Sequence, residues 1–187
     1  MITAKSGIVT FNGPTFKSLS SWKTRYSFNK FVKRFMEEDM SLLDGDENVE
    51  IIKQGKADGK LVGGNLSLTT KMVEGKYKLS FDNKILFIEE LGFESAPEMC
   101  SSNLYYLKQN GVFDKIKGIW VGNYEHEMKI SLEKILLDVL ENKYSFPIIK
   151  TNNFGHIDKK IVIPVGVVAK IDTKEKQKIK LLEKCIK

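Results

Sequence analysis

The sequence predicts an α/β domain with a mostly parallel central sheet and a C-terminal hairpin. The apolar run from Ile85 to Ile88 is typical of a strand buried on both faces of a sheet. Around it, apolar runs alternate with helical patterns, which favours parallel strands joined by right-handed crossovers. Ile161 to Ile171 and Lys178 to Ile186 predict the closing hairpin, although the periodicity of the second segment also fits a helix.

The composition is that of an ordinary globular protein of 187 residues, 42% apolar and 29% charged. No run approaches the roughly 18 to 20 apolar residues of a membrane span, and the N-terminus lacks a signal pattern. We therefore expect a cytoplasmic protein that does not bind a membrane. Cys100 and Cys185 lie far apart without metal spacing, and we expect both to be reduced thiols.

The net charge of +6 does not by itself predict a nucleic-acid partner. Almost all the basic residues are lysines, since Arg25 and Arg34 are the only arginines. Proteins that read nucleic acids usually combine arginine forks or interleaved aromatic residues with a basic patch, and neither pattern is dense here. We interpret the charge as a solvated lysine-rich surface and expect no nucleic-acid partner.

The first predicted elements are a short strand and an amphipathic helix. Ile8 to Phe11 reads as a strand closed by the turn Asn12 to Pro14. No hairpin partner follows it, so we expect this strand to pack poorly or to pair with another copy of the chain. From Ser27 to Met40, apolar residues recur at intervals of three and four, which predicts a helix with one apolar face.

A glycine-rich segment comes next, after a predicted strand over Asn48 to Lys56 and a predicted turn over Ala57 to Gly59. The pair Gly63 and Gly64 indicates close backbone approach or positive φ, and Asn65 is a candidate helix cap. The lysine and hydroxyl of a phosphate-binding loop are missing at the required spacing. We therefore interpret the glycines as a structural turn.

The pattern continues beyond the Ile85 run. Glu98 to Asn110 predicts a helix, and Ile116 to Tyr124 predicts a second buried strand. Ile130 to Leu140 predicts the clearest helix of the chain, because its apolar residues form a single stripe. A third strand opens at Phe146.

Two titratable residues follow predicted strands directly. Glu89 ends the Ile85 run, and His156 lies on the loop after the strand that opens at Phe146. If these strands are near each other, the carboxylate can bond one ring nitrogen and leave the other free as a general base. No nucleophile is evident, because no Gly-x-Ser-x-Gly motif occurs. The residues alone leave open that Glu89 begins a solvated loop and that His156 is a surface residue; Glu90 is expected to be an ordinary loop residue.

The other histidine, His126, lies in Glu125-His126-Glu127. The second histidine of a His-Glu-x-x-His zinc motif would fall at Ile130, so the motif is incomplete. We therefore expect no metal site at this position.

Five segments resemble, in order and spacing, the C-terminal domain of the LD-carboxypeptidases. These are serine peptidases of the murein tetrapeptide carboxypeptidase and microcin C self-immunity type. The resemblance is strong from Gly59 to Asp172 and weak from Ile2 to Pro14. The segments are Gly59 to Leu66, Lys84 to Glu90, Gly111 to Phe113 with Gly118 to Gly122, Phe154 to His156, and Ile163 to Gly166.

The resemblance implies a Ser-Glu-His triad in which Glu89 is the glutamate and His156 is the histidine. It implies hydrolysis of an amide next to a free carboxylate in a peptide or peptidyl-nucleotide substrate, without a metal or organic cofactor. It also implies a swivelling β/β/α-like fold and a tendency to form homodimers. In the family the nucleophilic serine belongs to an N-terminal domain.

Two departures from the family pattern bear on activity. The family's nucleophile elbow should lie just before Ile2, so we expect residues 1–45 to be a remnant of that domain plus a linker helix, and residues 46–187 to be the C-terminal domain. Ser101 and Ser102 stand where many relatives have an Asp-Arg pair, so a helix-start ion pair or a substrate contact is missing, which leaves substrate preference and the integrity of the site open. We predict the C-terminal part of a serine LD-carboxypeptidase-like hydrolase, inactive alone. The alternative is a non-catalytic remnant that acts as a binding or dimerisation module.

Overall fold

The computed structural model describes residues 2–20, 25–37, 39–44, 48–124 and 130–186. The helices are α1 (Ile2–Ser6), α2 (Phe16–Ser20), α3 (Arg25–Phe35), α4 (Leu66–Thr70), α5 (Pro97–Gln109), α6 (Val112–Lys115) and α7 (Leu132–Leu140), with a 3-10 turn at Gly92–Ser95. The strands are β1 (Thr10–Asn12), β2 (Glu50–Lys53), β3 (Lys56–Asn65), β4 (Lys84–Glu90), β5 (Gly118–Tyr124), β6 (Ile148–Lys150), β7 (Ile163–Val165), β8 (Val168–Asp172) and β9 (Ile179–Leu181). In these residues no helix is long and apolar enough to cross a membrane.

The main sheet has seven strands in the order β2-β6-β5-β4-β3-β8-β9. Its four central strands, β6, β5, β4 and β3, are parallel, and antiparallel strands close both edges. The predicted α/β class, the mostly parallel centre and the C-terminal hairpin are therefore confirmed. The segment from Lys178 contributes the strand β9 to that hairpin rather than a helix.

Strand β4 is apolar without interruption because both of its faces are covered. Leu86 and Ile88 pack into a cluster with the buried faces of α5 and α7. Ile85 and Phe87 pack on the opposite face into a second cluster that includes Trp120. The sheet thus separates two cores, and β4 contributes side chains to both of them.

Strand β1 pairs with β7 of the same chain. Thr10 lies opposite Val165 and Asn12 opposite Ile163, in antiparallel register. The expectation that this strand packs poorly or pairs with another copy is therefore wrong. The sequence does not reveal the partner because it lies far along the chain, where Ile163 to Val165 falls within the predicted closing hairpin.

The segment Ala57 to Gly59 is part of a strand and not a turn. It lies in β3, which pairs with β8 on one side and with β4 on the other. Gly63 and Gly64 also lie in β3, with φ of 133° and 138°. A Cβ atom at Gly63 would overlap the carbonyl oxygen of Phe87, so the predicted close approach is confirmed although the predicted turn is not.

Helix α3 forms where the periodicity predicts it, but it buries a polar stripe. Ser27, Lys30 and Arg34 are 0%, 6% and 4% exposed. On the apolar face, Phe28 and Met36 are 50% and 75% exposed. The helix thus contacts the rest of the described chain through these polar side chains as well as through aromatic ones, since the Phe35 ring lies 4.5 Å from that of Phe11.

Candidate active site

Glu89 lies at the edge where the parallel strands β3, β4 and β5 end. It is the penultimate residue of β4, and in register it lies opposite Asn65, the last residue of β3. The side chain is only 3% exposed although it is a carboxylate. A buried carboxylate requires a partner, and the loop after β6 supplies it.

The loop after β6 returns across the end of β5, the strand that separates β6 from β4. Asn123 at the end of β5 donates its backbone N–H to the carbonyl oxygen of Phe154 at 2.9 Å. The Phe154 ring is buried edge-on against Trp120, with 4.8 Å between ring centroids. Gly155 has a φ of 120°, and a Cβ atom there would lie 3.2 Å from Glu89 Oε2. A glycine at this position therefore lets the loop approach the carboxylate.

The next residue, His156, meets Glu89 directly. His156 Nδ1 lies 3.0 Å from Glu89 Oε2. Burial raises the pKa of the Glu89 carboxyl, and the hydrogen bond with His156 acts in the opposite direction. When Glu89 is ionised it accepts a hydrogen bond from the Nδ1–H of the neutral imidazole, which leaves Nε2 as the acceptor nitrogen of the ring. The His156 side chain is 53% exposed, so the imidazole is oriented by a buried group and still accessible.

Glu90 is a buried structural residue, so its expected role as an ordinary loop residue is wrong. It is 1% exposed and accepts three hydrogen bonds, from Asn65 Nδ2, Ser67 N and Leu91 N. Asn65 in turn caps α4 by accepting from Leu68 N, as predicted. The two adjacent glutamates thus differ in their partners: Glu89 bonds the histidine, and Glu90 ties the end of β4 to the end of β3.

No nucleophile contacts the histidine in the described part of the chain. The side chain of His156 bonds Glu89 there, and Ser67 Oγ donates instead to Asn65 Oδ1. Cys100 is fully buried in α5, and burial raises the pKa of its thiol to about 12, which makes it a poor nucleophile. Glu89 can orient the imidazole and His156 can accept a proton, but hydrolysis also needs a nucleophile from elsewhere.

A metal ion has no evident place among the described residues. They contain no group of three or more histidine, cysteine, aspartate or glutamate side chains that could hold one. His126 lies outside the described residues, in the gap at 125–129, so the expectation about its motif stays untested.

The fold and this site describe an α/β domain that presents an oriented imidazole at the carboxyl ends of parallel strands. Residues 58–171 match the LD-carboxypeptidase C-terminal domain. The chain therefore belongs to the LD-carboxypeptidase family.

Similar proteins agree with this assignment. A probable murein peptide carboxypeptidase of Bacillus subtilis (strain 168) is 29% identical over 183 residues, which cover 94% of this chain and 56% of that protein. The crystal structure of an MccF-like protein from Bacillus anthracis str. Ames has a TM-score of 0.79 at 27% identity, covering 97% of this chain and 63% of that one. A mutant of the microcin C7 self immunity protein MccF, in complex with adenosine monophosphate, has a TM-score of 0.82 at 23% identity, covering 100% and 64%, and shows the shared fold. The chain thus spans a little more than half of the length of the B. subtilis relative.

Proposed function

We propose that this chain is the C-terminal part of a serine LD-carboxypeptidase-like hydrolase and supplies two members of its Ser-Glu-His triad. Glu89 is the orienting carboxylate and His156 is the general base. The observation that carries the proposal is the 3.0 Å contact between His156 Nδ1 and the buried Glu89 carboxylate. No serine hydroxyl among the described residues bonds the ring, and we propose that the nucleophilic serine is supplied by the N-terminal domain of the family.

The geometry supports different roles for His156 and Glu89. His156 Nε2 takes the proton of the serine hydroxyl as its oxygen attacks the substrate carbonyl carbon. Glu89 holds the ring in the required tautomer and stabilises the imidazolium that forms. His156 then gives the proton to the leaving amine, and a water molecule hydrolyses the acyl-enzyme by the same route. These steps require neither a metal nor an organic cofactor.

The relatives support a proposal for the substrate class. One is named as a probable murein peptide carboxypeptidase, and the MccF structure holds adenosine monophosphate. We propose that the bond hydrolysed is an amide next to a free carboxylate, in a murein peptide or in a peptidyl-nucleotide. Ser101 and Ser102 lie in α5, where the family resemblance places an Asp-Arg pair, and we propose that the absence of both charges bears on the preference among such substrates.

Complementation tests the proposal. The 187-residue chain, alone or mixed with the N-terminal domain of the B. subtilis relative, is incubated with a murein tetrapeptide and with an aminoacyl-nucleotide conjugate. Chromatography then follows release of the terminal group. We expect no turnover by the chain alone and turnover by the mixture. Glu89→Gln or His156→Ala should lower that turnover by about 10²-fold or more.

The controls separate the proposal from its alternatives. Turnover that persists in both variants contradicts the triad roles. Substrate binding by the chain without turnover in any mixture indicates instead a binding module. Sedimentation of the same samples shows whether the active species is a homodimer.

A further inference from the structure

The loop that carries His156 is fastened to helix α3 on both sides of the histidine. On one side, Asn153 Nδ2 donates to the Tyr26 hydroxyl at 3.3 Å. On the other, Ser27 Oγ donates to the carbonyl oxygen of Asp158 at 2.9 Å and accepts the N–H of Lys160 at 2.9 Å. These contacts join residues more than a hundred positions apart in sequence and do not belong to any strand pairing.

A backbone hydrogen bond also joins the two ends of this loop. The backbone N–H of Ile161 donates to the carbonyl oxygen of Asn153 at 2.7 Å. His156 lies within this closed segment, and its own side chain bonds Glu89. The position of the ring therefore depends on where the loop backbone is held.

Ser27 is suited to hold that backbone because its hydroxyl is buried and both donates and accepts a hydrogen bond. The residue is 0% exposed, and the single oxygen satisfies both a carbonyl and an N–H of the loop. Removing the hydroxyl takes this partner away from the Asp158 carbonyl and the Lys160 N–H, so the loop loses its attachment to α3 on this side of His156. A displacement of about 1 Å at a reacting group is enough to lower a rate substantially.

The orientation of α3 agrees with this role. The other members of its buried polar stripe bond the segment that follows the helix: Lys30 pairs with Asp44 at 3.1 Å, and Arg34 donates to the carbonyl oxygens of Asp39 and Ser41. The helix therefore contacts two loops, and Tyr26 and Ser27 form its contacts with the loop that carries His156.

From these contacts we infer that Ser27 is a positioning residue for His156, acting through the backbone at Asp158 and Lys160. It touches no reacting atom. The inference rests on the proposed function in so far as it concerns turnover, and it extends the site to a helix that the sequence presents only as an amphipathic segment.

A matched pair of variants tests the inference. Ser27→Ala removes a buried hydroxyl that bridges two backbone groups of a distant segment. Thr173→Val removes another such hydroxyl away from the histidine loop: Thr173 Oγ1 accepts from Gly55 N at 3.0 Å and donates to Gly55 O at 3.2 Å, and this carbonyl also accepts from Thr173 N at 3.1 Å. Urea denaturation measures the stability that each variant loses, so an effect at His156 can be separated from general weakening.

The first readout needs no turnover. In a His126→Gln background of the 187-residue chain, the proton on His156 Nδ1 is observed by NMR as a downfield signal. We expect Ser27→Ala to abolish or strongly shift this signal, as Glu89→Gln does, and Thr173→Val to retain it. An unchanged signal in Ser27→Ala overturns the inference.

The second readout uses the complemented enzyme. Ser27→Ala should lower kcat by about tenfold or more with KM changed less than about twofold, because it affects the position of the base and not substrate binding. If Ser27→Ala does not fold, Ser27→Cys keeps the shape with a weaker hydrogen bond and should show a smaller loss in the same measurements. Wild-type kcat in a folded Ser27 variant contradicts the inference. Turnover that is insensitive to Glu89 and His156 contradicts the proposed function instead, and the NMR result then still decides the role of Ser27.

Discussion

Gly122 lies directly against the ring of Phe154, two residues before His156. A Cβ atom at Gly122 would overlap this ring and lie 2.6 Å from its Cζ atom. The ring has no free volume to move into, since Phe154 is 1% exposed and packs against Phe87 and Trp120. Because Gly122 has no side chain, β5 leaves room here for the Phe154 ring and so for the loop that carries His156.

Gly122→Ala should therefore destabilise the protein and displace the loop. We expect a loss of about 1 to 3 kcal/mol in the free energy of unfolding, measured by urea denaturation, because an added methyl group overpacks a closed site. Gly118→Ala on the same strand is the control, since a Cβ atom there meets the tip of Ile171 at 3.3 Å. Equal losses in the two variants would contradict the explanation.

Glu90→Ala should weaken the junction of β3 and β4. The substitution leaves Ser67 N and Asn65 Nδ2 without their carboxylate, and a buried donor without a partner costs about 1 to 3 kcal/mol. Thermal or urea unfolding measures this loss. Glu94→Ala, at an exposed position four residues further on, should stay within about 0.5 kcal/mol of wild type. A loss no larger than that of Glu94→Ala would show that Glu90 is dispensable.

Glu89 should make stability depend on pH in a defined direction. Burial raises the pKa of its carboxyl above the ordinary 4.5, so the unfolded chain releases this proton at lower pH than the folded one. The contribution of Glu89 is complete below pH 4.5 and is lost as the pH rises through the folded pKa. Urea denaturation between about pH 4 and pH 7 should show the stability of wild type relative to Glu89→Gln falling with pH. If the stability of wild type relative to Glu89→Gln instead increased with pH, the predicted direction would be wrong.

The two cysteines should differ in reactivity. Cys100 is fully buried, and burial raises the pKa of its thiol to about 12, whereas Cys185 is half-buried. A thiol-specific reagent at mildly alkaline pH should modify Cys185 in the folded protein and both cysteines after denaturation. The folded Cys185→Ser variant should not react with this reagent. Rapid modification of Cys100 in that variant would mean that α5 opens readily.

The strand β4 could be predicted from a local signal, and the contact between Glu89 and His156 from the expected proximity of two strand ends. Ile85 to Glu90 is a continuous apolar run with carboxylates at its end; Glu89 lies near the end of β4, and His156 lies in the loop after β6 of the same sheet. Where local signals mislead, pairing explains the difference. Ala57 to Gly59 carries turn residues, but strands on both sides hold it in β3.

The distinction between Glu89 and Glu90 could not be predicted. The register of β4 against β5 shifts between Ile88 and Glu90, and the partner of Glu90 is an asparagine on another strand. Ser27 likewise resembles any serine of an amphipathic helix, because its partners lie in a loop that is distant in sequence. Contacts of this kind arise from the tertiary fold and leave no periodic pattern.

The pairing of β1 with β7 imposes an order on how the protein is made. Thr10 lies opposite Val165, so β1 has no partner until residues 163–165 have left the ribosome. The same holds for Ser27, whose partners Asp158 and Lys160 are also translated late. The parallel strands β3, β4 and β5 can associate earlier, whereas the contacts that hold the histidine loop must wait. Glu89 is therefore carried by a part of the sheet that can associate before His156 has been translated, and His156 joins it afterwards.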